Sequence, residues 1–239
     1  MFVVGVDGCR AGWLVVKMSR HGAWECRIFP EMTSLWSAYR RAALILVDIP
    51  IGLPAAANDR DCDRTARKVL GPRRASVFPV PCRAAIYAPN YDAAIKINEQ
   101  TTGKRIFRAT WNLIPRLRQV DEVLRTDPQA RNVIREAHPE VMFWGLNRGK
   151  PMALSKKGIA GETERLKVLE RVYPRSKALF LEMRKNLPKR SAVPDDLLDA
   201  LAAAVTALVG GKELKTLPDN PQRDAQGLPM EMVYFIPPH

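Results

Sequence analysis

Apolar residues in the first fifty positions fall into four short runs separated by turn signals. Residues 2–7 form a nearly continuous apolar run, typical of a buried strand, and a glycine-bracketed turn follows it. The runs 13–18 and 24–29 predict two more strands of a meander, and a helix is expected to start near Pro30. The unbroken run 44–48 predicts a fourth strand with both faces covered. This order places the ends of the first and fourth strands side by side.

The pattern becomes mainly helical after residue 50. Proline- and glycine-rich loops interrupt the helices of 50–130, which suggests an insertion over the strand ends. A fifth strand is predicted at 133–138 and a short closing strand at 232–236. Asn58 or Asp59 can cap the first of the later helices. These helices are expected at 57–70, 91–100, 111–125, 158–173, 177–185 and 194–209.

Together these elements predict one α/β domain over residues 1–239. The expected fold is an RNase H-like mixed five-stranded sheet flanked by helices, with a helical and loop insertion after strand 4, roughly at 50–130. A chain of 239 residues with 46% apolar residues can bury such a core without disulfides or metal staples. There is no signal-peptide pattern and no apolar run near the ~20 residues of a membrane span, so we expect a cytoplasmic protein without a membrane partner. The oligomeric state stays open.

The net charge of +13 and a pI of about 9.9 favour contact with polyanions. Nucleic acid, either DNA or RNA, is therefore the expected partner, and a generally cationic surface is the alternative. The four cysteines are scattered, with no metal-binding spacing and no histidine nearby. They are expected to be thiols in a reducing compartment.

Carboxylates occupy the positions where strand ends and a late helix can meet. Asp7 closes the first apolar run and Asp48 closes the fourth. Asp196 and Asp199 lie three apart at the start of an alanine-rich helix, whose small residues allow close approach to a sheet. Hard divalent cations prefer oxygen ligands. We therefore predict that Asp7, Asp48 and Asp199 bind Mg²⁺ or Mn²⁺, with Asp196 beside them.

Structural roles compete with this interpretation. An aspartate before Gly8 often only caps a turn, and Asp48 can stabilise the turn that leaves its strand. Asp195 is better explained by the favourable position of an acid at a helix N-terminus. Asp199 lies deeper in the helix, where a buried carboxylate needs a partner or a metal ion.

Further polar residues follow the fifth strand and the helix that ends near residue 70. Glu140 is either a fourth metal ligand or part of a helix start, and His138 is either a proton shuttle or a substrate contact. Arginine forks fit phosphate oxygens, although a solvated basic loop is the simpler explanation. The predicted substrate-binding residues are Arg73, Arg74, Ser76, Arg83, Lys156 and His138.

Six motifs occur together along the chain: Val4–Trp13, Asp48–Leu53, Arg64-x-x-Arg67, Arg73–Phe78, His138–Glu140 and Asp196–Ala200. With these motifs, the chain resembles the predicted RNase H-like nucleases of the domain-of-unknown-function 429 family. The resemblance covers most of the length and implies the RNase H-like fold and nuclease activity. The stretch Asp196–Ala200 also resembles the D-x-x-D-A helix of Holliday-junction resolvases.

The leading hypothesis is a metal-dependent nuclease that hydrolyses phosphodiester bonds. Asp7, Asp48 and Asp199 would bind two ions, with Asp196 or Glu140 completing the site; one ion would activate water and the other would stabilise the leaving 3′ oxygen. One alternative is a nucleotide-binding or phosphotransfer protein of the actin-like group, which needs glycine-rich phosphate loops. Another is a non-catalytic nucleic-acid-binding module, which need not bind Mn²⁺.

Overall fold

A five-stranded mixed sheet lies at the centre of the computed structural model, which describes residues 1–58, 60–188 and 190–238. The strand order is β3-β2-β1-β4-β5; β1 to β3 are antiparallel neighbours, and β4 and β5 run parallel to β1. A separate antiparallel pair consists of β6 and β7. The strands are β1 (Phe2–Cys9), β2 (Gly12–Ser19), β3 (Trp24–Phe29), β4 (Leu44–Val47), β5 (Ile134–Glu136), β6 (Lys215–Leu217) and β7 (Met232–Tyr234).

The five strands predicted for the main sheet are confirmed, with ends that differ by a few residues. The predicted closing strand exists as β7, but it pairs with β6 and not with the main sheet. The sequence did not predict β6, because only one of its three residues, Leu217, is apolar.

Ten α-helices are present among the described residues, and α2 to α6 all lie in sequence between β4 and β5. Helix α5 begins earlier than predicted, so Pro115 lies in its interior and not in its first turn. Asp59, one of the two predicted caps of α2, lies outside the described residues. The helices are α1 (Met32–Tyr39), α2 (Asp61–Leu70), α3 (Arg83–Ile86), α4 (Tyr91–Thr102), α5 (Arg108–Thr126), α6 (Pro128–Val133), α7 (Pro139–Leu146), α8 (Ile159–Val172), α9 (Ser176–Asn186) and α10 (Pro194–Gly210).

Both faces of the main sheet are buried. On one face, Val4 and Val47 join a core to which α1 and α5 also contribute. On the other face, Val3 and Leu46 join a second core with the alanine-rich α10. The sheet therefore has helices on both sides, which explains why β1 and β4 read as continuous apolar runs.

Helix α10 lies unusually close to β1 because residue 5 has no side chain. A Cβ atom at Gly5 would be 2.2 Å from the carbonyl oxygen of Ala200 and 2.2 Å from the backbone nitrogen of Ala204. Only a glycine allows this contact, and the alanines on the facing side of α10 add little bulk of their own. The first turns of α10 are thereby brought to the end of β1.

No helix among the described residues is long and apolar enough to cross a bilayer.

Candidate metal centre

Asp7 and Asp48 are neighbours where the parallel pairing of β1 with β4 ends. The parallel pairing of β1 with β4 sets Val6 beside Val47, and the Asp48 amide donates a hydrogen bond of 2.9 Å to the Val6 carbonyl. Each aspartate directly follows one member of that pair. The two carboxylates are therefore presented from rigid, adjoining strands.

Asp199 completes a group of three carboxylates. It lies in the second turn of α10, which the Gly5 contact holds against β1. Carboxylate oxygens of Asp7, Asp48 and Asp199 all lie within 4.8 Å of one another. Asp7 and Asp199 are buried and Asp48 is half-buried. A compact set of oxygen ligands of this kind suits a hard cation such as Mg²⁺ or Mn²⁺.

The hydrogen bonds of these carboxylates leave one buried oxygen without a donor. Asp7 Oδ1 accepts a bond of 2.7 Å from the Gly8 amide, and Asp199 Oδ2 accepts one of 2.7 Å from Lys156 Nζ. Asp199 Oδ1 is fully buried and has no hydrogen-bond partner among the described residues. A buried carboxylate oxygen without a donor or cation is costly. The residues present therefore fit a bound divalent ion.

Burial, together with repulsion from nearby acids, raises the pKa values of all three carboxyl groups. Desolvation, followed by the charge of Asp199, raises the pKa of Asp48 to about 7. Desolvation raises the pKa of Asp199 to about 6, although Lys156 opposes the shift. The pKa of Asp7 is also well above its usual range, because of burial and then the charge of Asp48. Near neutral pH, metal binding should therefore displace protons from the cluster.

Asp196 lies at the start of α10, outside the group of three. Its Oδ2 accepts a hydrogen bond of 3.0 Å from the Val193 amide, which stabilises the helix start. Its charge contributes to the raised pKa of Asp7, so it lies close enough to affect the site. The geometry gives Asp196 a capping role; metal ligation by this residue stays a prediction.

Lys156 points into the acidic cluster from the loop between α7 and α8, where we expected a substrate contact. The loop carrying it, residues 151–158, is fixed from several sides. Glu164 accepts hydrogen bonds of 2.7 and 2.9 Å from the amides of Ala153 and Leu154. The guanidinium of Arg165 donates one of 3.1 Å to the Leu154 carbonyl. The position of Lys156 beside Asp199 is thus built into the fold.

Glu140 forms an ion pair with Arg165, the residue that also bonds the Leu154 carbonyl in that loop. Its Oε1 accepts a hydrogen bond from Arg165 Nη2, and Arg165 is fully buried. Its Oε2 is buried without a hydrogen-bond partner among the described residues. Glu140 does not belong to the group of three, so its principal visible role is to hold Arg165.

A cleft of about 370 Å³ opens next to the carboxylates. His138 lines this cleft. Burial disfavours the charged ring and lowers the pKa of His138. Its Nε2 lies 3.2 Å from the Ser76 carbonyl oxygen. An Nε2–H donor to that carbonyl leaves Nδ1 as the unprotonated nitrogen. Six of the predicted site residues line this cleft: Asp48, Arg73, Ser76, His138, Glu140 and Lys156.

Arg73 and Ser76, two of the residues predicted to bind phosphate, already make hydrogen bonds within the protein. Arg73 donates to the carbonyls of Met152 and Ala153, and the Ser76 hydroxyl donates to the Arg73 carbonyl at 2.8 Å. Arg73 therefore helps to fix the loop that carries Lys156. Arg74 is exposed, and its side chain makes no hydrogen bond or ion pair with the described residues. Contact of these residues with phosphate stays a prediction.

Arg83 lies outside the cleft. It forms ion pairs with Asp121 at 3.0 Å and with Asp224 at 2.5 Å, and both carboxylates are buried. These bonds join α3 to α5 and to the segment before β7. The geometry does not support a phosphate-binding role for Arg83, because its guanidinium already contacts two carboxylates.

A buried ionic network that we did not predict fixes the backbone at Ile51, three residues after Asp48. Arg60 pairs with Glu136 at 2.8 Å and with Asp63 at 3.1 Å. Glu136 accepts a bond of 2.6 Å from the Ile51 amide, and Arg60 donates one of 2.7 Å to the Ile51 carbonyl. The chain leaving β4 is thereby fixed directly after Asp48. The available signal was Glu136, the one acid in the predicted strand 133–138, which also contains Arg135 and His138.

Comparison with known proteins gives one family and no individual relative. No curated protein and no solved structure matches the chain. The sequence model of a family described as "Protein of unknown function (DUF429)" matches residues 5–223, which include all three carboxylates of the cluster. The chain belongs to this family.

Proposed function

We propose that the protein is an RNase H-like, divalent-metal-dependent nuclease that hydrolyses phosphodiester bonds of DNA or RNA. One observation carries the proposal: Asp7, Asp48 and Asp199 bring oxygens within 4.8 Å of one another. The orphaned Oδ1 of Asp199 adds a buried acceptor with no donor among the described residues. Structural carboxylates normally have a partner, so this arrangement favours a ligand-binding role.

The topology supports the RNase H-like part of the proposal. A three-stranded antiparallel meander continues through a helix to a parallel strand beside the first, in the order β3-β2-β1-β4-β5. This is the arrangement expected from the sequence for that fold. It also provides the reason for the site, because the parallel pairing of β1 with β4 ends at Val6 and Val47, and Asp7 and Asp48 follow directly.

The chemistry follows from charge and position. A divalent ion at the three carboxylates would lower the pKa of a bound water and neutralise charge on a phosphate. The carboxylates would hold the ion, and the adjacent cleft would admit the phosphodiester. Lys156 and Arg73 line that cleft and place positive charge beside the incoming phosphate. The net charge of +13 would attract the nucleic acid over a longer range.

The glycines near Asp7 argue against the actin-like alternative. Phosphate loops use glycines so that backbone amides can approach a phosphate. Here the space over Gly5 is filled by α10, and the space over Gly8 is filled by the side chain of Arg116. Gly5 leaves no room for a nucleotide phosphate, and at Gly8 the Arg116 side chain would first have to move away.

A cleavage screen tests the proposed function. Metal-free protein would be assayed with Mn²⁺ or Mg²⁺ on branched DNA, duplex DNA, RNA–DNA hybrid and single strands. We expect metal-dependent cleavage of at least one substrate, and a loss of at least about 100-fold in Asp48→Asn. Asp61→Asn is the matched control, because Asp61 pairs with the exposed Arg64 and lies outside the group of three carboxylates. Cleavage of none of these substrates, or full cleavage by Asp48→Asn, would contradict the proposal.

A further inference from the structure

We propose that Lys156 is a built-in cation of the metal centre, so that the three carboxylates hold one divalent ion together with one ammonium group, and not two divalent ions. This inference rests on the proposed function, because it concerns how the same site binds its ion and substrate. It changes the expected number of bound metal ions from two to one, and it assigns Lys156 the role of a second positive charge at the site.

The two carboxylate oxygens of Asp199 differ in their hydrogen bonding. Oδ2 accepts the hydrogen bond of 2.7 Å from Lys156 Nζ. Oδ1 is buried and has no partner among the described residues. One oxygen is thus already used by an ammonium group, and the other is left for a ligand shared with Asp7 and Asp48.

Charge balance supports a single ion. The three carboxylates carry three negative charges when ionised, and one ammonium group with one divalent ion balances them. Of the other acids near the cluster, Glu140 pairs with Arg165, Asp196 caps α10, and Asp195 lies in the first turn of α10. A second divalent ion at Asp199 Oδ2 would have to displace Lys156 or lie against its positive charge, which is strongly unfavourable at such short range.

The fold holds Lys156 in place. Glu164, Arg165 and Arg73 together bond the backbone of residues 152–154, directly before it. A bulky residue could not replace Gly161, because a Cβ there would be 1.7 Å from the Ser155 carbonyl oxygen. This tight packing fixes the loop against α8, so the lysine does not depend on a flexible chain to reach Asp199.

Lys156 can also reach the substrate side of the site. Its side chain is 39% exposed, whereas that of Asp199 is 2% exposed. It lines the cleft together with Asp48 and Arg73. An ammonium group has three donors, so Nζ can keep its bond to Asp199 and donate another to a phosphate oxygen. The ion and the lysine would then contact one phosphodiester from two sides.

Counting bound Mn²⁺ by electron paramagnetic resonance and titration calorimetry, without nucleic acid, tests this inference. Wild-type protein and the Lys157→Met control should each bind one ion per chain at the cluster. Lys157 is the exposed neighbour with the same charge, so it controls for a general loss of positive charge. Lys156→Met should bind its first ion at least about tenfold more tightly, because the nearby repulsion is gone. Lys156→Arg, which keeps the charge, should still bind one ion.

Two results would overturn the inference and leave the proposed function standing. One is binding of two ions by the wild-type cluster. The other is a Lys156→Met affinity for Mn²⁺ no greater than that of Lys157→Met. Absence of Mn²⁺ binding in every variant would instead contradict the proposed function, and this inference with it. The wild-type stoichiometry needs no substitution, so the test holds even if Lys156→Met does not fold.

Discussion

Gly5 on β1 and Ala200 on α10 are in contact so close that a Cβ atom at residue 5 would lie 2.2 Å from the Ala200 carbonyl oxygen. Asp199 directly precedes Ala200, and Asp7 lies two positions after Gly5 on the same strand. The missing side chain at residue 5 therefore determines how closely the third carboxylate approaches the first two. Core packing and the geometry of the carboxylate cluster depend on the same contact.

Gly5→Ala should therefore damage both stability and metal binding. The added methyl group meets backbone atoms, which cannot rotate away, so we expect a loss of about 3 kcal/mol in the free energy of unfolding. Urea unfolding and Mn²⁺ titration measure the two effects. Gly8→Ala is the matched control, because its Cβ would meet only the flexible Arg116 side chain. Equal stability and equal Mn²⁺ affinity in the two variants would show that the contact is not limiting.

The stability of the metal-free protein should fall as pH rises through the range in which the cluster loses its protons. The pKa of Asp48 is raised from 3.8 to about 7, so the folded state binds more protons than the unfolded state between these values. The free energy of unfolding then decreases with rising pH, and this one carboxyl group contributes a slope of at most about 1.4 kcal/mol for each step of one in pH.

Urea unfolding in EDTA between about pH 4 and pH 7 measures this effect against Asp48→Asn. The variant should become progressively more stable than the wild type over this window, because titrating groups outside the cluster cancel in the comparison. With Mn²⁺ present the wild-type trend should reverse, since the ion binds the deprotonated cluster. Parallel stability curves in EDTA would mean that burial and the neighbouring carboxylates do not disfavour the ionised form of Asp48.

Asp196 and Asp199 should behave differently although they lie one turn apart. Asparagine can still cap the helix at position 196, so Asp196→Asn should change the unfolding free energy by less than about 0.5 kcal/mol and retain Mn²⁺ binding. Asp199→Asn removes a carboxylate from the group of three and should abolish the rise in melting temperature caused by Mn²⁺. Loss of that rise in Asp196→Asn would instead make Asp196 a ligand.

Arg74 should contact the phosphate backbone from the edge of the cleft. It is exposed beside Arg73 and Ala75, which line the cleft, and its side chain has no partner among the described residues. Arg74→Ala should therefore make the salt dependence of binding shallower by about 0.9 on B-DNA or about 0.7 on single strands.

Two controls accompany that experiment. Arg171→Ala removes a charge from the outer helix α8 and should leave the slope unchanged. Arg83→Ala should also leave the slope unchanged, while it lowers stability because Asp121 and Asp224 lose their partner. If Arg171→Ala lowers the slope as much as Arg74→Ala does, the positive charge acts over the whole surface.

The sequence could predict the strands and the meeting of Asp7 with Asp48, because apolar runs mark where strands end. The inward position of Asp199 followed from the small residues around it in the alanine-rich helix. The partners of Arg83 could not be predicted, since Asp121 and Asp224 are distant in sequence and carry no local pattern. The contact between Lys156 and Asp199 was also hidden, because a loop lysine reads as a solvated charge until the bonds of Glu164 and Arg165 are known.

Anomalous diffraction from crystals grown with Mn²⁺ tests the central claim most directly. We predict a manganese peak within about 2.5 Å of oxygens from Asp7, Asp48 and Asp199, with Lys156 Nζ still beside Asp199. Crystals of Asp48→Asn under the same conditions should lack the peak. A manganese peak elsewhere, or none at the three carboxylates at saturating Mn²⁺, would contradict the account.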